Sequence, residues 1–168
     1  MKKNIVLIGM PGCGKSAVGR ELAGMLHMLL VDTDRLVEQE DGRTIPDIFA
    51  QEGEAAFRDK ETAAARKAAQ MRGVIIATGG GMVLREENMR VLGESGVVFF
   101  RDRALADILG EDLTGRPLLR EDAGRLYDLY DQRIHLYRAY AHHIISDTNT
   151  AREAAQRIAA IYEEECKG

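Results

Sequence analysis

The run Gly9-Met10-Pro11-Gly12-Cys13-Gly14-Lys15-Ser16 carries the spacing G-x-x-x-x-G-K-[ST] without a mismatch. That spacing suits a polyphosphate. Glycines let successive backbone N–H groups turn toward one anion, and a following helix N-terminus adds positive potential. Lys15 has the reach for β- and γ-phosphates, and the Ser16 hydroxyl is a hard oxygen ligand for Mg²⁺. The flanks match this use: apolar Ile5-Val6-Leu7-Ile8 precedes the loop, and Val18, Leu22, Met25 and Leu26 follow on one helical face. Strand, glycine loop and helix together make a phosphate-binding reading specific, because a plain turn does not require Lys15-Ser16.

Further polar groups follow other apolar runs. Asp32-Thr33-Asp34 leaves Leu29-Leu30-Val31. One carboxylate there can hold Mg²⁺ through water and the other can take a proton from a substrate hydroxyl; equally, Thr33 or Asp34 can cap the next helix. Thr78-Gly79-Gly80-Gly81 leaves Val74-Ile75-Ile76-Ala77, and three glycines in a row lower stability unless something approaches the main chain closely. Arg58 and Glu61 share a helix face, as a carboxylate-held guanidinium for a planar anion or as an ordinary surface ion pair. Arg133 and Tyr137 lie one turn apart on a long helix, with Arg133 either a second anion clamp or part of a solvated face. Gly115-Arg116-Pro117 follows the acidic, broken stretch Gly110-Glu111-Asp112-Leu113-Thr114 and reads as a mobile loop whose Arg116 can close over a triphosphate; equally, Arg116 can cap a helix beside a proline turn. His27, His135, His142 and His143 lack metal-ligand spacing. Cys13 reads as a small residue tolerated in the loop, where alkylation would block nucleotide binding.

These groups need a scaffold. Strands are expected over 4–9, 28–32, 73–77, 96–100 and 142–146, and helices over 15–26, 33–40, 45–51, 54–71, 85–94, 121–141 and 151–165. Thr150-Ala-Arg-Glu153 is a capping box for the last helix, whose apolar face is Ala154, Ala155, Ile158 and Tyr162. Alternating elements imply a three-layer α/β/α fold with a five-stranded parallel sheet, ligands binding beyond the strands' carboxyl ends. With 168 residues and 45% hydrophobic content, the chain reads as one domain, 1–168. A net charge of −4 argues against a general nucleic-acid binder. Two distant cysteines suit a reducing compartment, and with neither a secretory signal nor an apolar span the expectation is cytoplasmic, with no membrane partner.

In order, the Gly9–Ser16 loop, Asp32-Thr33-Asp34, Phe57-Arg58-x-x-Glu61, Gly79-Gly80-Gly81, Arg116-Pro117-Leu118-Leu119, and Arg133 with Tyr137 resemble the shikimate kinase family over essentially the whole chain. The resemblance implies transfer of the ATP γ-phosphate to the 3-hydroxyl of shikimate, in aromatic amino-acid synthesis, by a usually monomeric enzyme with a lid. It implies Asp34, Lys15 and Arg116 as catalytic residues. ATP would contact Gly12, Cys13, Gly14, Lys15, Ser16, Ala17 and Arg116. Shikimate would contact Asp34, Arg58, Gly79, Gly80, Gly81 and Arg133, and Mg²⁺ would lie by Ser16 and Asp32. The lid would span about 107–122 and the substrate-binding region about 33–61. Two positions depart from the pattern: Ala17 stands where a second hydroxyl is frequent, and Asp107-Ile108-Leu109-Gly110 lacks the arginine that commonly packs on adenine. Adenine contacts then fall to backbone near Thr148-Asn149-Thr150. Alternatives are a kinase of the same fold acting on gluconate or a nucleoside monophosphate, and a nucleotide-binding module without turnover.

Overall fold

The apolar runs Ile5–Ile8, Val74–Ala77 and Val97–Phe100 are buried on both faces, so they demand a layer of helices on either side. The computed structural model describes the backbone of residues 2–112 and 120–168, and side chains outside 110–123. Strands β1 (Asn4–Ile8), β2 (Leu29–Asp32), β3 (Val74–Ala77), β4 (Gly96–Arg101) and β5 (His143–Ile145) form one parallel sheet in the order β2-β3-β1-β4-β5. The helices are α1 (Lys15–Leu26), α2 (Thr33–Asp41), α3 (Ile45–Glu52), α4 (Glu54–Gln70), α5 (Glu86–Ser95), α6 (Leu105–Asp112), α7 (Arg120–Tyr140) and α8 (Ala151–Lys167), with a 3₁₀ turn at Met82–Leu84.

The strand period of two divides the core. Val6, Ile8, Ile76, Val98 and Phe100 pack with Ala65 and Ala68 of α4, Leu92 of α5 and Tyr137 of α7. Ile5, Leu7, Ile75, Val97 and Phe99 point the other way, onto Val18 and Leu22 of α1 and Ala154, Ala155, Ile158 and Tyr162 of α8. The apolar faces expected of α1 and α8 are therefore the buried ones. A third cluster, Val37, Ile48, Phe57 and Ala64, ties α2, α3 and α4 together beside the sheet.

Register brings the chemistry-bearing segments level. Leu7 and Asp32 both pair with Ala77, so the phosphate loop, Asp32-Thr33-Asp34 and the glycine run all emerge at one edge. Thr78 fastens the last of these: its hydroxyl donates to the Leu7 carbonyl at 2.7 Å. Gly79 N–H donates to the Thr33 hydroxyl at 3.3 Å.

Two expectations need correction. The stretch read as the start of a polar loop is helix α6 as far as Asp112. Leu105 and Ile108, spaced i,i+3, pack on the core, and Ile108 is buried against the phosphate loop. The Gly-Glu-Asp run after them hides that periodicity in the sequence. Residues 113–119 of the expected lid, including Arg116, lie outside the described residues, and 120–122 open α7. The capping box of α8 is also displaced by one residue. Thr150 Oγ1 accepts from Glu153 N–H at 3.1 Å, but Glu153 Oε2 accepts from Asn149 N–H, also at 3.1 Å.

Asn4 is wholly buried, donates to the Met71 carbonyl at 2.9 Å and accepts from Val74 N–H at 3.0 Å. It thus aligns β3, and with it the glycine run, on β1. Replacing Asn4 by Ala leaves a buried N–H unpaired and should lower stability by roughly 1–3 kcal/mol, measured by urea denaturation.

Candidate active site

The phosphate loop closes on itself. Gly12 and Gly14 have φ of +76° and +91°, a region that side chains oppose. Cys13 N–H donates to the Met10 carbonyl at 3.2 Å, and Cys13 itself is buried. Lys15 opens α1, and its ammonium donates to the carbonyls of Gly9 at 2.6 Å and Met10 at 2.9 Å. The cation is thereby held at the loop by neutral acceptors that phosphate oxygens can outcompete. Ser16 follows on α1, with Ala17 next to it on the wall of a cavity of about 430 Å³ that also takes in Gly12, Gly14, Asp32, Asp34 and Gly79.

Of the acids after β2, the helix cap is Asp32, neither Thr33 nor Asp34. Asp32 Oδ1 accepts from Asp34 N–H at 2.9 Å and Arg35 N–H at 3.3 Å, which opens α2. Its other oxygen accepts from Ser16 Oγ at 3.3 Å. Thr33 is buried against the Gly79 N–H. Asp34 is left to face the cavity. Burial first, then the charges of Asp32 and Glu61, push its carboxyl up to about 6, with Lys15 opposing them. A proton acceptor with that affinity is available at neutral pH.

The glycine run is a shelf against which the protein's own side chains press. A Cβ on Gly79 would lie 2.7 Å from Asp34 Oδ1 and 3.2 Å from Glu61 Oε2. On Gly80 it would strike Pro11 Cδ at 2.6 Å, and on Gly81 the Arg58 guanidinium. The three glycines are needed for space, between the phosphate loop on one side and α4 on the other.

Beyond the shelf is a cationic cluster built on a buried anion. Glu61 is 1% exposed and accepts from Arg58 Nη1 at 2.9 Å. Burial raises its carboxyl, while Arg58, Arg133 and Arg85 draw it down. The i,i+3 pair is therefore no ordinary surface ion pair. Arg58 also reaches Glu54 at 3.2 Å, and its buried Nε has no hydrogen-bond partner among the described residues. Arg133 is buried, which removes the solvated-face reading. Tyr137, fully buried and stacked on Phe100 with ring centroids 5.1 Å apart, donates to the Gly80 carbonyl at 2.6 Å. Burial pushes its phenol up to about 12, with Arg133 opposing, so it stays a donor at any working pH.

Every described candidate thus meets at one edge of the sheet. Sequence reasoning passed over Pro11, Thr78 and Arg20, which line the same cavity. Arg20 was findable, since it sits one helical turn past Ser16. Among the described residues no cluster of three or more His, Cys, Asp or Glu could hold a metal ion. Ser16 and Asp32 offer adjacent hard oxygens and suit Mg²⁺ carried in with a nucleotide, whose phosphate oxygens and waters would complete its shell.

The parallel sheet, phosphate loop, adjacent carboxylates and arginine-bearing shelf define a small-molecule phosphotransferase of the P-loop kind. The family model described as shikimate kinase matches residues 11–163. A shikimate kinase of Clostridium beijerinckii is 43% identical over 146 residues, covering 86% of each chain. One of Symbiobacterium thermophilum is 43% identical over 162 residues, covering 92% of this chain and 93% of the relative. The structure of shikimate kinase from Acinetobacter baumannii in complex with shikimate superposes with a TM-score of 0.89 at 34% identity, covering 98% of this chain and 95% of that one. The chain belongs to the shikimate kinase family. Among the described residues no helix is long and apolar enough to cross a membrane.

A carboxyl raised in the fold holds its proton where the unfolded chain has lost it. Its favourable contribution is complete below about 4, the unfolded value, and is lost as pH rises through about 6. At pH 8 the ionised Asp34 therefore destabilises the empty protein. Asp34→Asn should raise stability by on the order of 1–3 kcal/mol at pH 8 and by far less at pH 4, measured by thermal melts at both values.

Proposed function

We propose that this protein transfers the γ-phosphoryl group of ATP to the 3-hydroxyl of shikimate. The observation that carries the reading is the meeting of Asp34 and Glu61 across Gly79: a proton acceptor and an arginine-bearing anchor flank one shelf beside the phosphate loop. Shikimate is a small ring with one carboxylate and three hydroxyls. Arg58 and Arg133 would grip the carboxylate, and the backbone of Gly79, Gly80 and Gly81 would bond the ring substituents. That presents a hydroxyl to Asp34.

In the transfer, the acceptor oxygen bonds to the γ-phosphorus as the bond to the bridging oxygen of ADP breaks. Asp34 orients the hydroxyl and receives its proton. Lys15 leaves the loop carbonyls for the phosphates, and the N–H groups of Gly12, Cys13, Gly14, Ser16 and Ala17 cradle them. Bound with the nucleotide beside Ser16 and Asp32, Mg²⁺ would offset phosphate charge. Arg116 would join Lys15 on the transferring group, with the lid at about 107–122 excluding water and residues 33–61 enclosing the acceptor. The working unit would be a cytoplasmic monomer acting on small molecules.

The deciding assay is ADP release from MgATP with shikimate, with gluconate and AMP as parallel acceptors and a no-acceptor control. Release that depends on shikimate alone is expected; turnover with another acceptor would reassign Arg58 and Arg133. Asp34→Asn should lower kcat about 10²–10⁴-fold with ATP binding little changed. In the unsubstituted protein kcat/KM for shikimate should fall as pH drops below about 6, where Asp34 is protonated. Arg58→Ala should weaken shikimate binding by roughly 2–5 kcal/mol, because it also strands Glu61; loss of ATP affinity instead would refute the clamp.

A further inference from the structure

Consecutive glycines leave one peptide group of the shelf free to choose between two orientations. Met82 N–H donates to the Gly79 carbonyl at 3.1 Å, so 79–82 is a four-residue turn with Gly80 and Gly81 at its centre. Gly81 has φ −93° and ψ 4°, the values of a type I turn. Type II differs by a flip of the central peptide, here Gly80–Gly81, and requires positive φ at the position Gly81 holds. Glycine adopts that φ without steric cost, so these residues by themselves permit both forms.

The two forms offer opposite groups to a ligand. This peptide is trans, so its C=O and N–H point in opposite directions. The Gly80 carbonyl is turned to the Tyr137 hydroxyl, which donates to it at 2.6 Å. The Gly81 N–H is therefore turned the other way, and among the described residues it has no acceptor. Gly81 itself lies against the Arg58 guanidinium, which a Cβ placed there would strike. A flipped peptide would present a carbonyl oxygen where the N–H is now offered, and a carboxylate or hydroxyl oxygen bound there would be repelled.

What selects the present form lies on α7. Tyr137 is wholly buried and its ring stacks on Phe100 of β4, so its one O–H is committed to the Gly80 carbonyl. The same oxygen takes a hydrogen bond from Arg133, one helical turn earlier. Arg133 is buried and forms no close ion pair among the described residues, which leaves its charge open to an arriving anion. We infer that Tyr137 is a positioning residue for the acceptor: through one hydroxyl it locks the Gly80–Gly81 peptide with the N–H on the ligand side and holds Arg133 beside it. The identity of the acceptor rests on the kinase reading; the lock does not.

The test is Tyr137→Phe, which keeps the stack on Phe100 and deletes only the hydroxyl, after thermal melts establish that the variant folds. Shikimate and MgATP binding are measured by calorimetry. Shikimate should bind about three- to tenfold more weakly, the effect of one lost hydrogen bond, with MgATP unchanged. KM for shikimate should rise by a like factor while kcat stays within about twofold, because ground and transition states lose the same contact. A purely structural role predicts a lower melting temperature with shikimate affinity intact, or equal weakening of both ligands; either result would overturn the inference. The carbonyl carbon resonance of Gly80 reads the lock with no ligand present. It should shift when the hydroxyl is removed, and an unmoved resonance would equally overturn the inference. If the parent releases no ADP with shikimate, but the resonance shift and the weaker shikimate binding hold, the lock stands and the transfer reading alone falls.

Discussion

A carboxylate with almost no access to water, Glu61, is the constraint around which the substrate side of the molecule is arranged. An ionised carboxyl so placed costs several kcal/mol unless charged partners surround it. Arg58 lies 2.9 Å away on the same helix, and Arg133 and Arg85 add their fields from α7 and the start of α5. Three elements distant in sequence are thereby drawn to one point. Such a pair contributes little net stability. What it provides is a guanidinium fixed in orientation, aimed over glycines that leave room for nothing larger than a hydrogen.

The same economy of space runs along the strand ends. β1, β2 and β3 finish level, so Lys15, Asp34 and Gly79 approach one another without long loops. Asp32 caps α2 with one oxygen and leaves its second to Ser16, which joins a structural bond to a nucleotide-side one. Asp34, next but one along the chain, is released from capping and bears the strain of a buried negative site. Its raised proton affinity and its position by the shelf follow from one cause, the crowding of Asp32, Glu61 and the surrounding protein. Stability is spent there on a group poised to take a proton.

Much of this was legible in the residues. The apolar runs at Ile5–Ile8 and Val74–Ala77 marked strands because they lack the polar alternation of a half-exposed sheet, and Lys15-Ser16 after the glycines marked the phosphate loop. The strand order was not legible, because it depends on which crossovers pass over which face. The role of Asp32 as the cap was hidden by two equally good candidates beside it. Nor could spacing separate a surface pair from a buried one at Arg58 and Glu61, since i,i+3 occurs in both; burial by α7 and the glycine run decides it. Helix α6 was lost behind Gly110-Glu111-Asp112, although Leu105 and Ile108 carry its apolar face. Tyr137 showed helical spacing to Arg133, but its bond to the Gly80 carbonyl joins residues far apart in the chain.

The most direct test of the buried-anchor account is Glu61→Gln, which keeps shape and hydrogen bonding but removes the charge that orients Arg58. Shikimate and MgATP affinities should be measured separately by calorimetry. The account predicts at least tenfold weaker shikimate binding, as for loss of a charged partner worth about 1.5–3 kcal/mol, with MgATP affinity unchanged. Unaltered shikimate affinity in a folded Glu61→Gln protein would contradict it, because Arg58 would then be positioned without its anchor.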